Sequence, residues 1–271
     1  MSSKVKPILV YIFTAIIIIY SLFPVVWFIE SSFRTHEQNV SIPPVWIFKP
    51  TLDAYHRIMS DFTKVFLNSY LIATMAVMLS LIIGIPAAYA LVRMQIKRAR
   101  DIEIWILSMR MAPAFAFIVP FYLFYMRLNL LDTHIGVALV YLTFTLPFTI
   151  WLLEGFIKDI PIEVEESAEI DGCSRIQILF RITLPLMVPG LIVVAILTYV
   201  ACLNEFLFAY ILTRENALTI PVAIATKVSF MNIDWEAMCA YATLTIIPII
   251  FLSIIVRNYI ARGLTFGAIK G

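Results

Sequence analysis

An all-α integral membrane protein of about six transmembrane helices is the fold class this sequence predicts, on three observations. Of its 271 residues, 62% are hydrophobic and only 14% are charged, against roughly 45–50% and about 25% in soluble domains. Six apolar stretches are each long enough to cross a hydrocarbon core of about 30 Å, which takes roughly 20 helical residues. Lys and Arg gather in the segments between those stretches. A soluble fold of this length has nowhere to hide so much apolar surface, so the bilayer is the solvent for much of the chain.

The stretches fall at residues 8–29, 68–92, 104–126, 135–157, 188–212 and 238–256. The first follows Met-Ser-Ser-Lys-Val-Lys and could pass for a signal peptide. Its apolar run is too long for that, and no small-residue cleavage site follows, so it reads as the first membrane helix. The segment 30–67 contains Pro43, Pro44, Pro50 and a weakly amphipathic run at 52–59, which predicts a short surface helix. Pro24, Pro86, Pro113, Pro120, Pro147 and Pro248 lie in or beside membrane stretches. Membrane helices tolerate proline where neighbours satisfy the freed carbonyl, as packing kinks or as hinges. The organisation read from this is an N-terminal helix and outer segment (1–63), a core (64–260) and a tail (261–271).

Basic residues orient the bundle. With the N-terminus inside, the cytoplasmic side receives Lys4, Lys6, Arg93, Lys97, Arg98, Arg100, Lys158, Arg175, Arg181, Arg257, Arg262 and Lys270, twelve in all. The other side receives Arg34, Lys49, Arg57, Lys64, Arg127, Arg214 and Lys227, seven in all. Both termini are therefore expected in the cytoplasm.

The polar segment 158–187 reads as two short helices joined by a turn. Pro161 suits a first helical turn, and acids at Glu163, Glu165 and Glu166 follow it, those nearest the start favouring the positive end of the dipole. Gly172 stops the helix, because glycine enters the left-handed region at little cost. Ser174 can cap a second helix carrying Ile176, Leu179, Phe180 and Ile182, which ends at Leu184 and Pro185.

The spacing of Glu166, Ser167, Ala168, Gly172, Ile182, Leu184 and Pro185 resembles the signature of ABC importer permeases, the EAA loop: Glu-Ala-Ala, three residues, Gly, nine residues, Ile, one residue, Leu-Pro. Ser167 replaces the first alanine, and serine is nearly as small. The stretches 130–136 (Leu-Leu-Asp-Thr-His-Ile-Gly), 146–155, 203–207 (Leu-Asn-Glu-Phe-Leu) and 263–271 resemble carbohydrate permeases of the maltose type. The resemblance implies a type I importer bundle in a prokaryotic inner membrane, with a coupling helix that docks on a cytoplasmic ABC ATPase dimer. It further implies a second permease, most simply a different chain, and an extracytoplasmic substrate-binding protein. Glu165, Glu166, Ser167, Ala168, Asp171, Gly172, Ile182, Leu184 and Pro185 would form the ATPase-coupling segment. Glu166 would meet a basic residue there while Ser167 and Ala168 permit close approach. Gly263 and Gly267 would supply a second contact from the tail.

No Gly-x4-Gly-Lys-Ser/Thr phosphate loop occurs, so ATP and magnesium are expected on the partner ATPase and no cofactor on this chain. The three cysteines and three histidines form no disulfide framework or metal pattern, and a net charge of +2 gives no reason to expect a nucleic-acid partner. No nucleophile–base pair suggests a membrane enzyme. Ionisable residues inside a membrane are costly and mark candidate sites. Arg110, Tyr199, Asn204 and Glu205 are the translocation-pathway candidates, for a sugar, oligosaccharide or polyol. Arg110, read as a turn or two from the cytoplasmic end, would snorkel or pair with Glu205 or Glu154. Phe115, Phe117, Phe121, Tyr122 and Tyr125 are possible ring-stacking surfaces. The rival reading is an ion-coupled secondary transporter, against which no internal repeat is visible.

Overall fold

The computed structural model describes residues 5–229 and 233–266. Among them every regular element is a helix. In chain order these are α1 (Val5–Ser32), α2 (His36–Val40), α3 (Asp53–Arg93), α4 (Ala99–Ser108), α5 (Ala114–Arg127), α6 (His134–Lys158), α7 (Ile162–Ile170), α8 (Arg175–Ile178), α9 (Leu184–Leu186), α10 (Val188–Leu203), α11 (Leu207–Leu212), α12 (Ile220–Ala225) and α13 (Trp235–Phe266). Three helices are long and apolar enough to cross a membrane, or up to five if each of two bent pairs is one span. A shorter apolar run occupies Trp235–Phe251.

Several boundaries depart from the periodicity. The amphipathic run at 52–59 is no separate surface helix; it forms the first turns of α3, which begins at Asp53. The third stretch is broken: Ala99–Met111 and Ala114–Arg127 meet at 87°. Pro113 causes this, since proline lacks an N–H and forces the preceding residue, Ala112, into an extended conformation (φ −65°, ψ 129°). The fifth stretch is interrupted between Leu203 and Leu207. The last helix continues to Phe266, so Gly263 is a helical residue rather than part of a tail, and Gly267 lies outside the described residues.

The chain divides into two compact units. In the first, Met1–Lys64 with Ala223–Ile249, the apolar window of α1 has no buried residue. After α1 the chain is pinned by Arg34, which is 2% exposed. Its guanidinium reaches Glu30 at 3.0 Å and lies 4.6 Å from the centre of the Trp27 ring and 4.9 Å from that of Phe48. Thr35 and Gln38 close a capping box on α2, and Arg57 bridges Asp234 (3.2 Å) and Glu236 (3.1 Å).

In the second unit, Val65–Val222 with Ile250–Gly271, α6 is the central post. Helices in a membrane gain no hydrophobic drive from each other, so contact depends on small residues and polar pairs. Ser80 of α3 lies 2.7 Å from Thr145 of α6, and Thr149 of α6 lies 3.3 Å from Thr198 of α10, hydroxyl to hydroxyl. Gly190 of α10 sits so close to Phe156 that a Cβ there would fall 2.6 Å from the ring, whereas a Cβ at Gly155 would meet nothing.

That contrast sets a matched test. Gly190→Ala should destabilise the detergent-solubilised protein by about 1–3 kcal/mol through overpacking, read as a lower thermal unfolding midpoint. Gly155→Ala should leave the midpoint unchanged or raise it.

Candidate functional site

The segment between α6 and α10 is built as its local chemistry dictates. α7 starts after Pro161 and ends in a Schellman turn: Gly172 N donates to Glu169 O (3.0 Å) and Cys173 N to Ala168 O (3.0 Å). Gly172 holds φ +86° with open space around it, so its requirement is conformational rather than steric. Ser174 and Gln177 then form a capping box on α8. A π-helical turn at Leu179–Thr183 precedes α9. Pro185 cannot donate to Arg181 O, and its ring would crowd that carbonyl; the widened turn removes the conflict. The rod Arg175–Leu186 then meets α10 at 79°.

A buried carboxylate organises this segment. Glu165 is 1% exposed. It accepts from the Tyr89 hydroxyl (3.1 Å), Arg93 Nε (3.1 Å) and Thr183 Oγ1 (3.0 Å). Arg93 Nη2 also donates to the carbonyls of Ile157 (2.9 Å) and Ile160 (2.6 Å), a cation satisfying the C-terminal end of α6. One ion pair therefore joins α7 to α3, α6 and the π turn.

This corrects two expectations. Glu165 was grouped with the partner-facing residues, but its carboxylate points into the chain. Ala168, 7% exposed, is small for packing within the chain rather than for a visitor. Glu166, Ser167, Asp171 and Gly172 are exposed, as is Pro185; Ile182 and Leu184 are half-buried. Ile170, which the signature does not include, projects at 87% exposure. Nothing in the linear sequence links Arg93, Tyr89 or Thr183 to position 165; along the chain Arg93 is one of twelve basic residues on the expected cytoplasmic side.

The pathway candidates separate. Tyr199 donates to Tyr70 O (3.3 Å) and Asn204 to Val200 O (2.8 Å). Glu205 accepts from Phe208 N (2.9 Å) and Ala209 N (3.2 Å), stitching the break between α10 and α11. Arg110 pairs with neither Glu205 nor Glu154. Its guanidinium lies 4.4 Å from the centre of the Phe148 ring, and Glu154 instead receives Lys158 (3.3 Å). Arg110 and Glu205 do share a chamber of about 420 Å³, lined also by Met109, Ala112, Ala114, Phe117, Phe121, Thr143, Phe144, Leu207 and Phe208. Of the stacking candidates, Phe117 and Phe121 reach it; Tyr125 is buried and Phe115 points elsewhere at 74% exposure. Among the described residues no group of three His, Cys, Asp or Glu is gathered to hold a metal ion.

At the other end of the unit Asp132 organises a loop. Its carboxylate collects the backbone N–H groups of Arg214, Glu215, Asn216 and Ala217 at 2.8–3.2 Å. Partial burial raises its pKa, but these backbone donors outweigh it, and the net shift is downward. Asn68 continues the clamp by donating to the carbonyls of Asn216 (2.8 Å) and Leu218 (3.1 Å).

Two predictions follow from these geometries. Arg93→Met or Glu165→Leu alone should cost about 3–5 kcal/mol, because either leaves a buried charge unpaired; the double variant should cost less than the two summed. Denaturant unfolding of all three variants reads this. For Asp132, the depressed pKa means the clamp is fully present above the ordinary carboxylate range of about 4 and is lost as pH falls through the folded value. The extra hydrogen-exchange protection of residues 214–217 over Asp132→Asn should be constant from about pH 7 to 5 and shrink below about pH 4.

Comparison with known proteins places these features in context. Residues 80–266 match the family described as binding-protein-dependent transport system inner membrane component. The chain is 33% identical to the probable ABC transporter permease protein y4oR of Sinorhizobium fredii, over 99% of this chain and 98% of that one. It is 34% identical to the trehalose/maltose transport system permease protein MalG of Thermococcus litoralis, over 98% of each. In fold it resembles a chain of a bacterial ABC transporter involved in importing the acidic polysaccharide alginate. The TM-score is 0.76 at 23% identity, covering 96% of this chain and 98% of that one.

Proposed function

This chain belongs to the family of binding-protein-dependent transport system inner membrane components, and from that premise we propose that it carries a sugar, oligosaccharide or polyol inward, driven through its 158–187 segment by a cytoplasmic ATPase dimer. It is a non-catalytic permease subunit, and the ATPase is a separate partner. Membership also removes the ion-coupled alternative. The sugar assignment is supported by the relative named for trehalose and maltose.

The observation that carries the mechanism is the Glu165–Arg93 pair. A helix that transmits force must be rigidly joined to what it moves. Here a push on the exposed face of α7, at Glu166, Ser167, Ile170 and Asp171, reaches α3 and α6 through one buried ion pair rather than through a flexible loop. Glu166 is the acid left free to meet a basic groove, a contact worth roughly 1.5–3 kcal/mol where water is excluded. In this reading the basic-residue bias puts both termini and the segment 158–187 in the cytoplasm. ATP and magnesium sit on the ATPase. The substrate-binding protein docks at the opposite end, where Asp132 braces the outer loop. The unburied apolar surface of α1 is covered by lipid or by a second permease, a different chain.

Reconstitution with the ATPase, second permease and binding protein tests this. Ile170→Glu changes only an exposed tip, and Gly172→Pro removes the φ +86° turn. Both should abolish uptake while ATP hydrolysis continues, and a cysteine at Ser167 should crosslink to the ATPase. Full uptake in Ile170→Glu, or no crosslink to the ATPase, would sink the proposal.

A further inference from the structure

The chamber beside Arg110 lies deeper than the sequence implied. α4 runs along α6 in a register set by the Glu103–Lys158 ion pair (3.6 Å). Arg110 stacks on Phe148, which precedes Lys158 by ten residues, or about 15 Å of helix. That length is about half of a hydrocarbon core of roughly 30 Å, and the Arg110 side chain is exposed on this chain.

Two helix interruptions meet at the same place: Ala112 and Pro113 between α4 and α5, and Asn204 to Phe206 between α10 and α11. Irregular backbone at membrane depth is tolerated where it is buried in protein or lines a hydrated cavity. The volume, about 420 Å³, falls within the roughly 300–1,000 Å³ of small-molecule sites. The two charges in the wall are unequal in availability. Glu205 is committed to the N–H groups of Phe208 and Ala209. Arg110 has no carboxylate within ion-pairing distance among the described residues; its recorded contact is the Phe148 face. The uncommitted charge is therefore positive, with phenylalanine rings around it.

We propose that this chamber is a solute subsite on this chain, taking one ring of a sugar that bears an anionic group, a carboxylate or a sulfonate. It rests on the reading of the chain as a sugar permease and names the class of cargo. Arg110 pairs with the anion, and Phe117, Phe121 and Phe144 present apolar faces to the ring. Arg110 is exposed on this chain, so a neutral sugar leaves its guanidinium to solvent, whereas an anionic sugar adds a charge-assisted pair to the contacts with the phenylalanine rings.

The test uses the whole importer, with its ATPase and second permease in lipid nanodiscs and without the binding protein, so that the permease's own preference is read. Glucuronic acid and glucose share a ring and differ at C6; saturation-transfer NMR titrations give a Kd for each. Glucuronic acid should bind at least about tenfold more tightly than glucose. Arg110→Gln should abolish that preference without weakening glucose, and Arg110→Lys should keep part of it. Equal affinity for the two sugars would overturn the inference, and so would binding of neither or a preference that survives Arg110→Gln. An acid of the second permease already paired with Arg110 would show itself as the first of these. Crosslinking of Ser167→Cys to the ATPase in the same preparations separates the readings. A crosslink with no preference defeats this inference alone; its absence defeats the coupling mechanism.

Discussion

The geometry of the segment between α6 and α10 depends on one buried ion pair. Arg93 and Glu165 lie 72 residues apart in sequence and 3.1 Å apart in space, with side chains 8% and 1% exposed. Burying two charges is favourable only when geometry and extra hydrogen bonds compensate for lost hydration. Here Tyr89, Thr183 and two carbonyls of α6 and its end supply them. The partners come from α3 (Tyr89 and Arg93), the π turn (Thr183) and the end of α6 (the Ile157 and Ile160 carbonyls), so the requirement to satisfy one carboxylate and one guanidinium holds α3, α6, α7 and the π turn in a single arrangement. The same demand leaves Glu166 and Ile170 outside, on the face that can meet another protein.

Within the second unit α6 serves as the post because its neighbours touch it through small and hydroxyl residues. The Ser80–Thr145 and Thr149–Thr198 contacts and the close seat of Phe156 on Gly190 bring backbones together where lipid offers no hydrophobic drive. The helices that do not run straight are broken where proline or a polar residue replaces a backbone hydrogen bond. Pro113 cannot supply one, and Glu205 substitutes its own carboxylate for two missing acceptors. Both breaks open onto the chamber that holds Arg110. Asp132 does comparable work at the other end, drawing a loop around a single acceptor.

Much of this was legible in the linear chain, because the bilayer imposes length and hydropathy on anything that crosses it. The apolar stretches, the helix start beside Pro161, the stop at Gly172 and the cap at Ser174 are local properties of composition, backbone freedom and hydrogen-bond supply. The spacing from Glu166 to Pro185 was enough to indicate the family, since it is read along the chain without reference to contacts. Hydropathy could not show whether a stretch is straight: the residues at 104–126 are apolar on both sides of an 87° bend.

What only the tertiary structure decided is the direction in which each polar side chain points. A helix carrying three acids in its first two turns looks alike on every face until neighbours arrive, so sequence grouped Glu165 with Glu166. Folding sent Glu165 inward to Arg93 and left Glu166 in the open. Arg110 and Glu205 were each recognisable as ionisable residues in apolar surroundings. That one is spent on backbone while the other lies against Phe148 beside the chamber, with no carboxylate in reach among the described residues, depends on distances between helices, and a one-dimensional pattern carries no record of those.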